Sequence, residues 1–177
     1  MIRSLLGLGG RRKVPASLQP LLGPEERVLA VAPLEDGGEL VATRFGLWAP
    51  VDRSHIRWDW ALISKAGLRD RRLRVVVADP IGTWPDGTVV LADRVAQDFR
   101  LGTGSGLTDV VHDRVRRSVA ASGRIEGSGG GWVVLRRVAG QDGLTVQYRP
   151  DTPGPPPSDA LVALVSRRAE ALRPQVR

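Results

Sequence analysis

The chain contains no cysteine, which excludes disulfides, thiolate metal sites, iron–sulfur clusters and cysteine nucleophiles outright. Histidine is nearly as scarce. His55 and His112 are the only two, and neither has a cluster of ligand-type residues beside it, whereas a metal site needs about three or four. No run approaches the roughly 20 apolar residues of a membrane span. The opening stretch MIRSLLGLGGRRK has an apolar run too short for a secretory signal and a basic cluster after it rather than before; a cytoplasmic protein is expected. Lysine is limited to Lys13 and Lys65, so the 26 basic residues and the net charge of +7 are almost wholly arginine. That charge suits an anionic partner such as nucleic acid, an acidic membrane or an acidic protein face. With Val, Ala and Gly also abundant, the same skew follows from GC-rich coding.

What is present is an ordinary soluble composition, 42% apolar and 25% charged over 177 residues, enough for one domain with appendages. Residues 1–24 read as an arm. Ile2, Leu5, Leu6 and Leu8 make one apolar helical turn before Gly9-Gly10 and Arg11-Arg12-Lys13. A frayed or docked tail is preferred to a basic membrane foot, because one turn buries too little apolar area. Residues 26–34 are a strand, Glu35-Asp36-Gly37-Gly38 a hairpin turn, and 39–48 the returning strand, with a bulge or bend at Gly46. The next strand puts Ile56, Trp58 and Trp60 on one face and Arg57 and Asp59 on the other. Strands at 63–68 and 72–78 turn about Arg69-Asp70-Arg71, a Pro/Gly-punctuated loop covers 79–87, and short strands follow at 88–92 and 96–101.

The period then changes. Leu107, Val110, Val111, Val115 and Val119 recur at helical spacing, with Thr108 as N-cap and Gly123 as stop. Beyond a glycine-rich joint, 132–138 and 144–149 form a hairpin through Asp142-Gly143. A stiff linker (150–157) leads to a helix capped by Ser158, with stripe Leu161, Leu164, Val165 and Leu172, ended by Pro174. The expected fold class is α+β, mainly β. It comprises the arm (1–24), an antiparallel barrel of about seven strands with a capping helix (25–122), and an appended hairpin, Pro-rich linker and helix (123–177).

Three stretches of this plan carry a resemblance: Pro24-Glu25-Glu26-Arg27-Val28-Leu29, Val41-Ala42-Thr43-Arg44-Phe45-Gly46-Leu47-Trp48, and Ile56-Arg57-Trp58-Asp59-Trp60-Ala61-Leu62-Ile63. Together with the strand-then-helix order over 26–119, they resemble the bacterial pleckstrin-homology-like (PH-like) domains. In length and order the chain is also similar to short uncharacterised actinobacterial proteins. The resemblance implies an antiparallel barrel that binds phosphoinositides, peptides or proteins, generally without catalysis. The phosphoinositide mode needs basic residues in the first hairpin loop. Here that loop is Glu35-Asp36-Gly37-Gly38, which repels phosphates, so the lipid site is not carried over.

The residues themselves contain no catalytic constellation, no metal set and no cofactor motif. Gly102-Thr103-Gly104-Ser105-Gly106 precedes a helix, but Leu107 occupies the place of the third glycine of a dinucleotide fingerprint and no Gly-Lys-Ser/Thr follows. Ser105 lacks the Gly-x-Ser-x-Gly elbow. Asp59 and Asp70 are single carboxylates, expected to be solvated. Trp58 and Trp60 are expected in the core, whereas Trp84, in its Pro/Gly loop, is expected to be an exposed partner anchor. Arg114, Arg116, Arg117, Arg136, Arg137, Arg167 and Arg168 are expected either to join into one basic face or to be dispersed solubilising charge. The leading expectation is a non-catalytic module binding a protein partner. The alternatives are RNA binding through the arginines and peripheral attachment to acidic membrane through the arm.

Overall fold

The computed structural model describes residues 14–52, 54–103, 106–127, 130–152 and 157–176. Among them the chain is mainly β, with two α-helices, as the α+β class requires. β1 (Val28–Pro33) and β2 (Glu39–Thr43) pair antiparallel about the 35–38 turn, where Gly37 and Gly38 take φ of 94° and 77°. The segment expected as one returning strand is two. The chain reverses at Arg44-Phe45, and β3 (Gly46–Val51) runs back along β2 with Trp48 opposite Val41. Thr43 drives the reversal: its Oγ1 accepts the backbone N–H groups of Phe45 and Gly46 at 3.3 and 3.2 Å, drawing them out of a continued ladder. β4 (Ser54–Asp59) pairs with β3 and completes a four-stranded antiparallel sheet.

A 3-10 turn, Trp60–Leu62, leads into the second sheet. β5 (Ile63–Arg69) and β6 (Arg72–Thr83) form the expected hairpin, its two-residue turn made by Asp70 and Arg71 at φ 48° and 61°. That backbone matches the right-handed strand twist, although neither residue is glycine. β6 runs on where a loop is expected, and passes Pro80 at a register shift against β7 (Val89–Asp93). A bulge is where a strand tolerates proline. β8 (Gln97–Arg100) pairs with the first part of β6, and the bridge Leu34↔Leu101 ties its end to β1.

α1 (Leu107–Ser118) lies over β1, β2 and β5. It stops short of expectation: Val119 opens a strand, β9 (Val119–Ile125), and Gly123 is a strand residue rather than a helix stop. Ala121, Gly123 and Ile125 are buried while Ser122 and Arg124 are exposed, a two-residue period that small side chains make inconspicuous. β9 therefore spans the boundary expected between 122 and 123. β10 (Gly131–Arg136) and β11 (Thr145–Pro150) form the expected hairpin. β11 also runs parallel to β7, with Gln147 opposite Val89 and Tyr148 opposite Val90, so the appended hairpin continues the second sheet. Its order is β5-β6-β7-β11-β10-β9, curled into a half-barrel. α2 (Asp159–Leu172) begins at Ser158, whose side chain accepts the Leu161 N–H as the sequence implies.

Two cores result. The first joins both sheets and α1 through Leu40, Leu47, Trp58, Trp60, Leu73, Val75, Leu107 and Val111; the two tryptophans are buried as expected, whereas Ile56 is 37% exposed at the sheet end. The second lies under α2 and holds Trp84, Val133, Leu135, Tyr148, Val165 and Leu172. Leu18 docks against Val41 and Trp48 on the outside of the first sheet, so the described part of the arm is a docked tail.

Candidate functional site

Paired residues of neighbouring strands share a face, which sorts the β9–β10–β11 layer into two. Val133, Leu135, Tyr148, Ala121 and Ile125 point to α2. On the opposite face Trp132 is flanked by Arg124 and Arg149, and Val134 by Ser122 and Gln147, with Arg136 next along β10. This second face walls a cleft of about 500 Å³ whose other lining includes Ser64 and Lys65 of β5 and Asp93 of β7. β5 and β9 are the outermost strands of the curled sheet, and both border the same cleft.

The cleft floor is polar and buried. Arg136 is 2% exposed; it donates through Nη1 to Ser118 Oγ and through Nη2 to the Ile63 carbonyl at 3.1 Å. Gln147 Nε2 donates to the Ala61 carbonyl at 3.1 Å. The hairpin thus grips the backbone of the corner that leads into β5. Several buried atoms are left over: among the described residues Arg136 Nε, Gln147 Oε1, and both Nε and Nη2 of Arg149 have no hydrogen-bond partner. Arg149, its side chain 13% exposed, has only Nη1 near an acceptor, Asp93 Oδ1 at 3.5 Å. Burial pushes the Arg136 pKa down to about 10, with the neighbouring Arg149 charge adding to the shift. Burial also lowers Arg149, with Asp93 opposing. At the mouth Trp132 is 45% exposed. The Arg124 guanidinium lies 5.7 Å from its ring centroid and pairs with Asp151 at 2.7 Å.

The expected site residues are scattered by this arrangement. Trp84 is not an exposed anchor. It is 8% exposed, packed against Tyr148 at 5.3 Å between ring centroids. The extension of β6 to Thr83 and the Trp84 N–H bond to Thr88 O fold it under α2. Nor do the arginines make one face. Arg167 and Arg168 belong to α2, on the opposite side of the sheet from Arg136. Arg168 lies against Gly123, where a Cβ would meet its guanidinium at 2.5 Å. Arg114, Arg116 and Arg117 sit on α1. There Arg117 pairs with Asp113 at 2.8 Å, and Arg116 borders an adjoining depression that shares Ser64 and Lys65 with the cleft and includes an exposed His112. Arg137 is exposed just beyond β10, its backbone N–H bonded to Ser118 O. Arg136 is a buried clamp rather than surface charge. Arg149 was not singled out by sequence, although the alternation Gln147-x-Arg149 against Val146-x-Tyr148 marks it.

Among the described residues no group of three or more His, Asp or Glu is placed to hold a metal, and no helix is long and apolar enough to cross a membrane. The basic cluster at 11–13 and the Gly104-Ser105 pair lie outside the described residues. Comparison with family models, with curated proteins and with solved structures gave no match.

Proposed function

We propose that the protein is a non-catalytic interaction module of PH-like kind that takes an extended segment of a protein partner into the cleft between β5 and β9. One observation carries this reading. Both outermost strands of the half-barrel line the cleft, and among the described residues each pairs on one side only, β5 with β6 and β9 with β10. Unpaired edge N–H and C=O groups are what an added strand needs, and edges left open invite it. The four-stranded sheet, the following strands and the covering α1 are consistent with the order the PH-like resemblance implies. Absence of catalysis is argued from the sequence, which has no cysteine and no nucleophile–base pair at a recognisable spacing. The division of the arginines between two sides of the sheet weighs against a nucleic-acid surface.

A photo-crosslinking residue at Ser122, exposed on β9, tests the proposal in native lysate, with one at Arg167, exposed on α2 on the opposite side of the sheet, as control. A discrete protein adduct at Ser122, competed by unlabelled protein and absent at Arg167, is expected. No adduct at Ser122, identical adducts at both positions, or adducts removed by nuclease contradict it.

A further inference from the structure

We infer that the floor of this cleft is a carboxylate site, with Arg149 as its principal ligand and Arg136 behind it. This rests on the cleft being the binding surface and specifies what it recognises. One buried charge is fully satisfied: Glu26, 7% exposed, accepts from Thr43 Oγ1 and Trp48 Nε1 at 2.7 Å each and from Arg57 at 3.2 Å. Arg149 stands in contrast. Nε and Nη2, the two nitrogens of one guanidinium edge, are buried with no acceptor among the described residues, and the Asp93 contact at 3.5 Å exceeds the normal range for N–H···O. Unpaired buried donors on a cation are costly, and an acceptor that enters the cleft and displaces the atoms shielding them removes that cost. The edge of a guanidinium presents two parallel N–H groups spaced to fit the two oxygens of a carboxylate.

Phosphate fits the same fork, but the lining already contains Asp93 and Asp151. Lys65, Arg136 and Arg149 outnumber them and supply the attraction, and taking a dianion out of water onto this buried floor costs more than taking a monoanion. Trp132, half exposed beneath Arg124, offers a flat apolar shelf beside the anion for the chain that carries it. Two sources share this chemistry, the C-terminal carboxylate of a polypeptide and a free small carboxylate.

The test uses the full chain at matched ionic strength, titrated calorimetrically with acetate, inorganic phosphate, and a hexapeptide bearing either a free or an amidated C-terminus. Carboxylate binding above a chloride control is expected. In Arg149→Met it should weaken by roughly 10- to 100-fold with the urea midpoint retained, and in Arg149→Lys, which keeps charge without the fork, by nearly as much. Tighter binding of the free-acid peptide than of acetate, with loss on Trp132→Ala, identifies a polypeptide source; equal binding identifies a small carboxylate. Free and amidated peptides binding alike, phosphate binding more tightly than any carboxylate, or binding unchanged in Arg149→Met each overturn the site. Should no carboxylate bind while the Ser122 adduct persists, the carboxylate site falls and the interaction module stands.

Discussion

Replacing Trp84 with alanine is expected to lower the stability of the protein by about 3–5 kcal/mol, the range for a buried large aromatic, and to leave partner capture at Ser122 unchanged. The indole is 8% exposed and packs on Tyr148 with the rings inclined at 42°. Val90, Leu135, Val165 and Leu172 belong to the same core. Truncation leaves a cavity between the sheet and α2; β7, β10 and β11, which help wall it, are each paired on both sides, so it closes only partly. Since a domain of this kind is stable by only about 5–15 kcal/mol, the loss is a large share of the total. Urea unfolding at constant m-value measures it. A small change in midpoint together with loss of the adduct would return Trp84 to the role of partner anchor.

Gly46→Ala is expected to destabilise by about 1–3 kcal/mol, the range for overpacking. A Cβ at this position lies 2.4 Å from the Trp58 carbonyl oxygen and 2.9 Å from Arg57 Cγ. The nearest atom is backbone held in the β3–β4 ladder, where Gly46 faces Asp59, so relief requires the two strands to part. Gly67→Ala on β5 is the control. Its Cβ meets nothing within 4 Å and its φ is not positive, so the substitution is expected to be neutral or to stabilise by up to about 1 kcal/mol through the unfolded chain. Thermal unfolding of the two variants side by side checks the contrast; equal melting temperatures contradict the close approach at Gly46.

Both variants mark places where local pattern and tertiary structure part company. Strands with clean alternation were legible: β1 and the β10–β11 hairpin stand where period two put them, whereas β4 ends at Asp59 with Trp60 in a 3-10 turn and Ile56 exposed, although Trp58 and Trp60 are core as expected. α2 was legible from its cap and stripe. The β2–β3 reversal was not, because Thr43 Oγ1 captures the Phe45 and Gly46 amides in a stretch that reads as uninterrupted strand. β9 was hidden for a different reason. Val119 satisfies a helical stripe and a strand equally well, and Ala120-Ala121-Ser122-Gly123 gives neither period enough contrast. Trp84 was misplaced because a Pro/Gly stretch signals a loop locally, while β6 is carried through Pro80 by its ladder with β7.

The cleft lay further from reach. Arg136 was singled out, but as surface charge, since nothing local states which face of the hairpin α2 will cover. That face is decided by Val133, Leu135 and Tyr148 meeting Val165 and Leu172, and by the parallel pairing of β11 with β7, contacts remote in sequence. Once α2 takes the apolar side, Arg136, Gln147 and Arg149 are committed to the cleft.

The central claim is that Arg149, in the lining of the cleft, keeps a buried guanidinium edge with no partner among the described residues, and that a carboxylate entering the cleft can reach it. The most direct measurement is the arginine Nε–H region of the nitrogen–proton spectrum of the full chain, with Arg149 assigned from its loss in Arg149→Lys. The account predicts that acetate shifts the Arg149 Nε–H signal progressively and to saturation, while chloride at the same ionic strength leaves it in place. An Arg149 signal unmoved by acetate, or moved equally by both salts, contradicts it.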